Sequence, residues 1–146
     1  MGIGREELVD IYKMRIRLEG LASAEAAGRI SDADKKRLSE IVELCDFYIG
    51  KRDAEKLKEL DSEFHSIIYR ASGSRHLCKI LSELHRNIRS YRKLSLSVPE
   101  RLEASVKEHG EILRAIESRD AEKAERLTCE HISAARDNLL ETLVSR

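Results

Sequence analysis

Proline occurs once in this sequence and tryptophan not at all, and the remaining aromatics are four tyrosines and two phenylalanines. Seven glycines among 146 residues are too few for the many tight reversals of a β-sandwich or barrel. Cysteine is scarce as well. Cys45, Cys78 and Cys129 form no CxxC pair, and an odd number cannot close a disulfide framework. They read as small core residues in a reducing cytoplasm. No apolar run reaches the ~18 residues of a membrane span, and no charged-then-apolar leader opens the chain. An excess of either charge is also missing, because 27 lysines and arginines face 27 aspartates and glutamates. A neutral chain lacks the basic surface that holds nucleic acid through counterion release.

What the sequence does contain is amphipathic material. Charged residues make up 37% and hydrophobic ones 41%, a mixture that suits helices with one dry face. The length fits a single domain spanning residues 1–146. Six helices are expected. The first runs from about Arg5 to Ala27, with Gly28 as its stop. Ser31 caps a second, with Asp34 three residues on, and it reaches about Ile49 before Gly50. Asp53 caps a third that ends near Ala71 at Ser72-Gly73, and a fourth spans about Arg75–Leu94. After the loop Ser95–Pro99, a fifth runs to about Ser118, and Asp120 caps a sixth that reaches about Val144. Arg-Asp-Ala-Glu-Lys occurs at both 52–56 and 119–123. The flanking residues do not stay in register, so it reads as two aspartate-capped helix starts with an acidic first turn, not as a duplication.

Phase along each helix, at about 100° per residue, shows which polar residues point inward. His109 lies at the centre of the stripe Leu102, Val106, Ile112, Leu113 and Ile116, and His131 shares a face with Ala124, Leu127 and Ala135. Asp61 and His65, spaced i,i+4, stand at the edge of the stripe Leu57, Leu60, Phe64, Ile67 and Ile68. Arg15 sits within Leu8, Ile11, Leu18 and Ala22. Singly, each has a plain explanation: a satisfied core histidine, a local surface pair, or an arginine answered by Glu19 four residues on. Together they crowd one small core, where buried polar groups must satisfy one another or a guest. A divalent ion such as Zn, Ni, Mn or Fe on Asp61, His65, His109 and His131 would satisfy four side chains at once. It would leave positions for a small anion, which Arg15 could fork. His85 is placed at the rim of its helix and His76 in a turn. In the basic run around Arg89 and Arg92, Arg92 lies nearest the apolar edge.

Other chemistry finds little support. The sequence has no GxSxG, HExxH, P-loop or GxGxxG. The absence of Glu-x-x-His argues against a ferritin-like di-iron bundle.

Taken in order, these residues resemble the FCD domain, the ligand-binding C-terminal half of many GntR-type bacterial transcription regulators. The likeness runs from about Val9 to Leu140. It opens with Arg15-Ile16-Arg17-Leu18-Glu19, like the family's R-x-x-L-E helix, followed by an alanine-rich stretch to Ala27. Ile30-Ser31 and Leu38 resemble its next helix start, and Asp61-Ser62-Glu63-Phe64-His65 its D-x-x-F-H. Ala71-Ser72-Gly73 with Leu77 is similar to its S-G-N turn, with Ser74 in place of the asparagine. Arg92-Lys93-Leu94-Ser95, Glu108-His109, Ala115-Ile116, Asp120 and His131 then follow in family order.

The resemblance implies an all-α antiparallel bundle around a central metal and ligand cavity. It assigns the metal to Asp61, His65, His109 and His131, and the effector, a small organic acid, to Arg15 with Arg89 and Arg92. It implies a homodimer that meets DNA only through a winged helix-turn-helix domain, for which this chain has no room. The expected function is therefore metal-dependent sensing within a transcription regulator, with no catalysis and no membrane. Two rivals remain. One is an enzyme using the same metal on a small carboxylate, which lacks a clear general base. The other is a purely structural dimerisation bundle.

Overall fold

The computed structural model describes residues 4–95 and 98–144, and every regular element among them is an α-helix. In chain order these are α1 (Arg5–Arg29), α2 (Asp32–Lys51), α3 (Ala54–Ala71), α4 (Arg75–Asn87), α5 (Arg89–Ser95), α6 (Pro99–Glu117) and α7 (Ala121–Val144). The expected all-α class holds, with seven helices in place of six. The fourth expected helix divides at Ile88, whose φ of −111° and ψ of 15° leave the helical region. No glycine or proline marks that break. Ile88 is instead fully buried in an apolar cluster with Leu8, Ile132 and Leu139, a tertiary demand that local pattern does not reveal. Within the expected loop 95–99, residues 96–97 lie outside the described residues. Pro99 takes the first position of α6, as expected.

Two helices outrun their expected stops. Gly28 lies inside α1, which continues until the buried Ile30 donates its N–H to Ala26. Gly50 lies inside α2, which ends instead at Arg52 in the left-handed region (φ 55°, ψ 34°). The repeated Arg-Asp explains this. Arg52 N–H donates to the Ile49 carbonyl and Asp53 N–H to Tyr48; Arg119 (φ 57°) and Asp120 repeat the pattern on Ile116 and Ala115. Each arginine closes one helix in a Schellman-type turn, and each aspartate then caps the next. Asp53 accepts from Lys56 N–H and Asp120 from Lys123 N–H, both at 3.1 Å. Ser31 likewise accepts from Asp34 N–H at 3.1 Å.

Packing places α1 along α7, with α6 beside α7 and the α2–α3 pair closing the other side. Small residues let α1 and α7 come close: a Cβ on Gly20 would stand 2.5 Å from Cys129 Sγ. The larger apolar cluster gathers Ala22, Leu38, Ile41, Phe64, Leu81, Ile112 and Ile116. The smaller one holds Leu8, Ile11, Tyr12, Ile88, Ile132 and Leu139. Between them, on α1, lie the buried Arg15 and Glu19, and on α7 the buried Thr128 and His131. A polar layer thus separates the two apolar ends of the bundle. Buried polar groups are tolerable only if they answer each other, so that layer is where function is to be sought. No helix among the described residues is long and apolar enough to cross a membrane. Cys45, Cys78 and Cys129 are all free.

Candidate functional site

The helical period brings Asp61 and His65 onto one face of α3, one turn apart. α6 supplies His109 and α7 supplies His131, and all three histidines are buried. Their ligand nitrogens lie within 4.8 Å of one another. Asp61 Oδ1 is 3.4 Å from both His65 Nε2 and His109 Nε2, and His109 Nε2 is 3.2 Å from His131 Nε2. The four residues singled out by helical phase are thus brought to one point. Phe64 stacks on the His109 ring with 4.3 Å between centroids and fixes its tilt.

Two carboxylates orient two of these rings. Glu108 Oε1 lies 2.6 Å from His131 Nδ1, and a carboxylate can only accept, so Nδ1 carries the proton and Nε2 presents its lone pair. Glu19 Oε1 lies 3.2 Å from His65 Nδ1 and also accepts from Tyr69 OH at 2.9 Å. His65 Nε2 is thereby left facing Asp61 and His109. This arrangement, with a carboxylate behind the imidazole and the other nitrogen turned inward, is the one that prepares histidine as a metal ligand.

Each carboxylate is in turn held by an arginine. Arg15 pairs with Glu19, Arg92 with Asp61, and Arg101 grips Glu108 with two nitrogens at 2.5 and 3.1 Å. Arg92 also donates to Ser62 Oγ at 3.3 Å. Burial would raise the Glu19 carboxyl, but the Arg15 guanidinium and His65 outweigh it and hold it low. Burial likewise opposes ionisation of Asp61, and Arg92 with His65 overcomes it. Glu108 is held low against its burial by His131 and Arg101. Burial disfavours charge on His65 too, yet Asp61 and Glu19 lift it to about 9. His109 goes the other way, lowered by burial and by His131, and His131 is lowered by burial despite Glu108.

A small cavity of about 40 Å³ opens beside this cluster. Arg15, Arg92 and Arg101 line it together with Asp61, His65 and His131. By the space one water needs, it seats about three water-sized groups. Arg89 is not brought there; it begins α5 and is exposed. Three residues of the cluster carry no inward signal on their own helices. Arg101, two turns before His109, and Glu108, directly before it, lie on the charged flank of α6 and read as solvated surface. The third is His85. It is half-buried, as a rim position implies, but both its nitrogens are buried without a hydrogen-bond partner among the described residues. Burial, with Arg92 and Arg15 nearby, pushes His85 down to about 2.

Comparisons with known proteins agree with this fold. The FCD domain model matches residues 10–134. An uncharacterized HTH-type transcriptional regulator of Bacillus subtilis, YdhC, is 26% identical over 143 residues, which cover 94% of this chain and 62% of that protein. The chain therefore spans about three-fifths of that relative. Among solved structures, E. coli McbR/YncC superposes with a TM-score of 0.87 at 22% identity, over 97% of this chain and 68% of the other. Streptococcus agalactiae GntR gives 0.78 at 23% identity, over 92% and 61%. At such identities these two show the shared fold. With the family model covering most of its length, the chain belongs to the FCD domain family, the ligand-binding part of GntR-family transcription regulators.

Proposed function

We propose that this chain is the sensing and dimerisation domain of a cytoplasmic transcription regulator, holding one divalent transition metal and binding a small organic acid beside it. The observation that carries the reading is the spacing of the inward ligand atoms. A first-row divalent ion with ligands at about 2.0–2.1 Å would need neighbouring donors about 3.0–3.4 Å apart. Asp61 to His65, Asp61 to His109 and His109 to His131 measure 3.4, 3.4 and 3.2 Å. Asp61, His65, His109 and His131 would hold the ion; Zn, Ni, Mn and Fe all suit three imidazoles and a carboxylate. When bound, it supplies an electrophilic centre with room for an anionic oxygen.

Arg15 and Arg92 line the same cavity and would take the acid's carboxylate through their planar forks. Arg89, exposed on α5, has no contact with the acid in this reading. Acid binding would bias the geometry of a homodimer, and through it the DNA-binding domains that such regulators carry elsewhere. Catalysis is not part of this reading, and the relatives named as regulators support that. The test is elemental analysis of protein purified without chelator, followed by calorimetric titration of acids into loaded and chelated protein. Near-stoichiometric metal and metal-dependent acid binding are expected. Metal-free protein that refuses metal, or acid binding indifferent to chelation, would overturn the reading. Turnover of a bound acid would favour the enzyme.

A further inference from the structure

The three arginines that line the cavity and the carboxylates paired with them carry charge in a pattern with a count. Arg15, Arg92 and Arg101 contribute three positive charges, and their partners Glu19, Asp61 and Glu108 three negative ones. The arginines are 3, 8 and 9% exposed at the side chain. Among themselves the six charges balance. Imidazoles bind metal in their neutral form, so a divalent ion on the four ligands would leave two positive charges unanswered beside three arginines that are almost fully buried. Buried charges need partners, and this pair of charges asks for a guest of matching sign and number.

We infer that the site selects a small dicarboxylate over a monocarboxylate of the same length, and that Arg101 is the residue that makes the difference. This rests on the metal-and-acid reading above and narrows its ligand class. One carboxylate would meet the metal's open side with Arg15 and Arg92. The second would fall to Arg101, whose guanidinium reaches both Glu108 and the cavity. Because Glu108 also orients His131, an anion drawing on Arg101 touches the metal's ligand set through one shared carboxylate. Arg101 is thus a specificity residue and a positioning residue together.

Zinc-loaded full chain should be titrated with two matched pairs, malonate against propionate and succinate against butyrate. At least one dicarboxylate should bind about tenfold or more tighter than its partner, the worth of one good charge-assisted contact. Arg101→Gln removes one positive charge and should bring that ratio to within about threefold, whereas Arg101→Lys should retain most of it. Because Arg101 holds Glu108 and so bears on the metal's ligand set, zinc retained by each protein at the end of the titration is measured, and only ratios from protein that keeps its zinc are compared. Zinc content and helicity, measured on each variant, show that the ligand set and the fold survive. Equal affinities within both pairs, or an unchanged ratio in Arg101→Gln, would overturn the inference and leave the organic-acid reading standing. Failure of all four acids to bind loaded protein would sink that reading and the inference with it.

Discussion

Removing His109 tests whether the four convergent side chains act as one metal site, provided that two losses are kept apart. The ring is buried and stacked on Phe64 at 4.3 Å, so His109→Ala empties core volume whether or not metal binds. Truncation of a buried ring costs on the order of 3 kcal/mol, and it lowers the melting temperature of loaded and chelated protein alike. The informative quantity is the difference between those two temperatures. Metal at 100 times its Kd adds about 2.7 kcal/mol to the native state. For a domain of this size that is about 5–11 °C. If losing one of four ligands weakens binding a hundredfold, the same metal concentration adds only about 0.4 kcal/mol, and the gap shrinks to about 1–2 °C. Scanning calorimetry with and without chelator gives both numbers, because packing cancels in the difference. His76→Ala, at an exposed position in the first turn of α4, should keep the full gap. A wild-type gap of zero, or a gap undiminished in His109→Ala, would refute the shared site.

Glu108→Ala should keep the helical fold but weaken metal binding by about 10–100-fold, the usual effect of removing the carboxylate behind a ligating imidazole; competition with a chromogenic chelator reads it. Arg52→Gly should raise stability by about 0.5–1 kcal/mol in urea melts, because the left-handed position strains an arginine and not a glycine. Arg119→Gly should gain less, since Arg119 also donates to the Ala27 carbonyl at 3.1 Å. Gly20→Ala should lower the melting temperature, because the added Cβ meets Cys129 Sγ at 2.5 Å and Glu125 Cγ at 3.2 Å; a melt no lower than wild type would show that α7 yields freely. Cys45, buried and with its thiol pushed up to about 12, should react with a thiol reagent more slowly than Cys129; equal rates in native protein would contradict its burial.

Helical phase is enough to find Asp61, His65, His109 and His131, because a polar residue inside an apolar stripe is anomalous on its own helix. The same logic finds Arg15 and sets Arg92 nearer the core than Arg89. It fails where burial is created by other elements. Arg101 and Glu108 lie on the charged flank of α6, and only the approach of α7, bringing His131 to 2.6 Å from Glu108, turns that flank inward. His85 sits at the edge of α4's stripe, and its nitrogens become inaccessible through packing from beyond α4, with the His65 ring 5.8 Å away. The division at Ile88 is hidden for a related reason. Both halves are good helix, and the break answers the apolar cluster at the far end of the bundle.

The legible boundaries are those written in side-chain hydrogen bonds. Ser31, Asp53 and Asp120 each accept the N–H three residues on, and a cap of this kind is a local device with a local signature. Glycine is the less reliable sign, since Gly28 and Gly50 continue their helices and arginines take the left-handed turns. Arg119 shows what an arginine offers there: its backbone closes α6 while its guanidinium reaches the carbonyl of Ala27 near the end of α1. A glycine would form the turn with less strain but could not tie α1 to the α6–α7 joint. That joint sets where α7 starts, and with it the depth at which His131, about three turns into that helix, enters the polar layer.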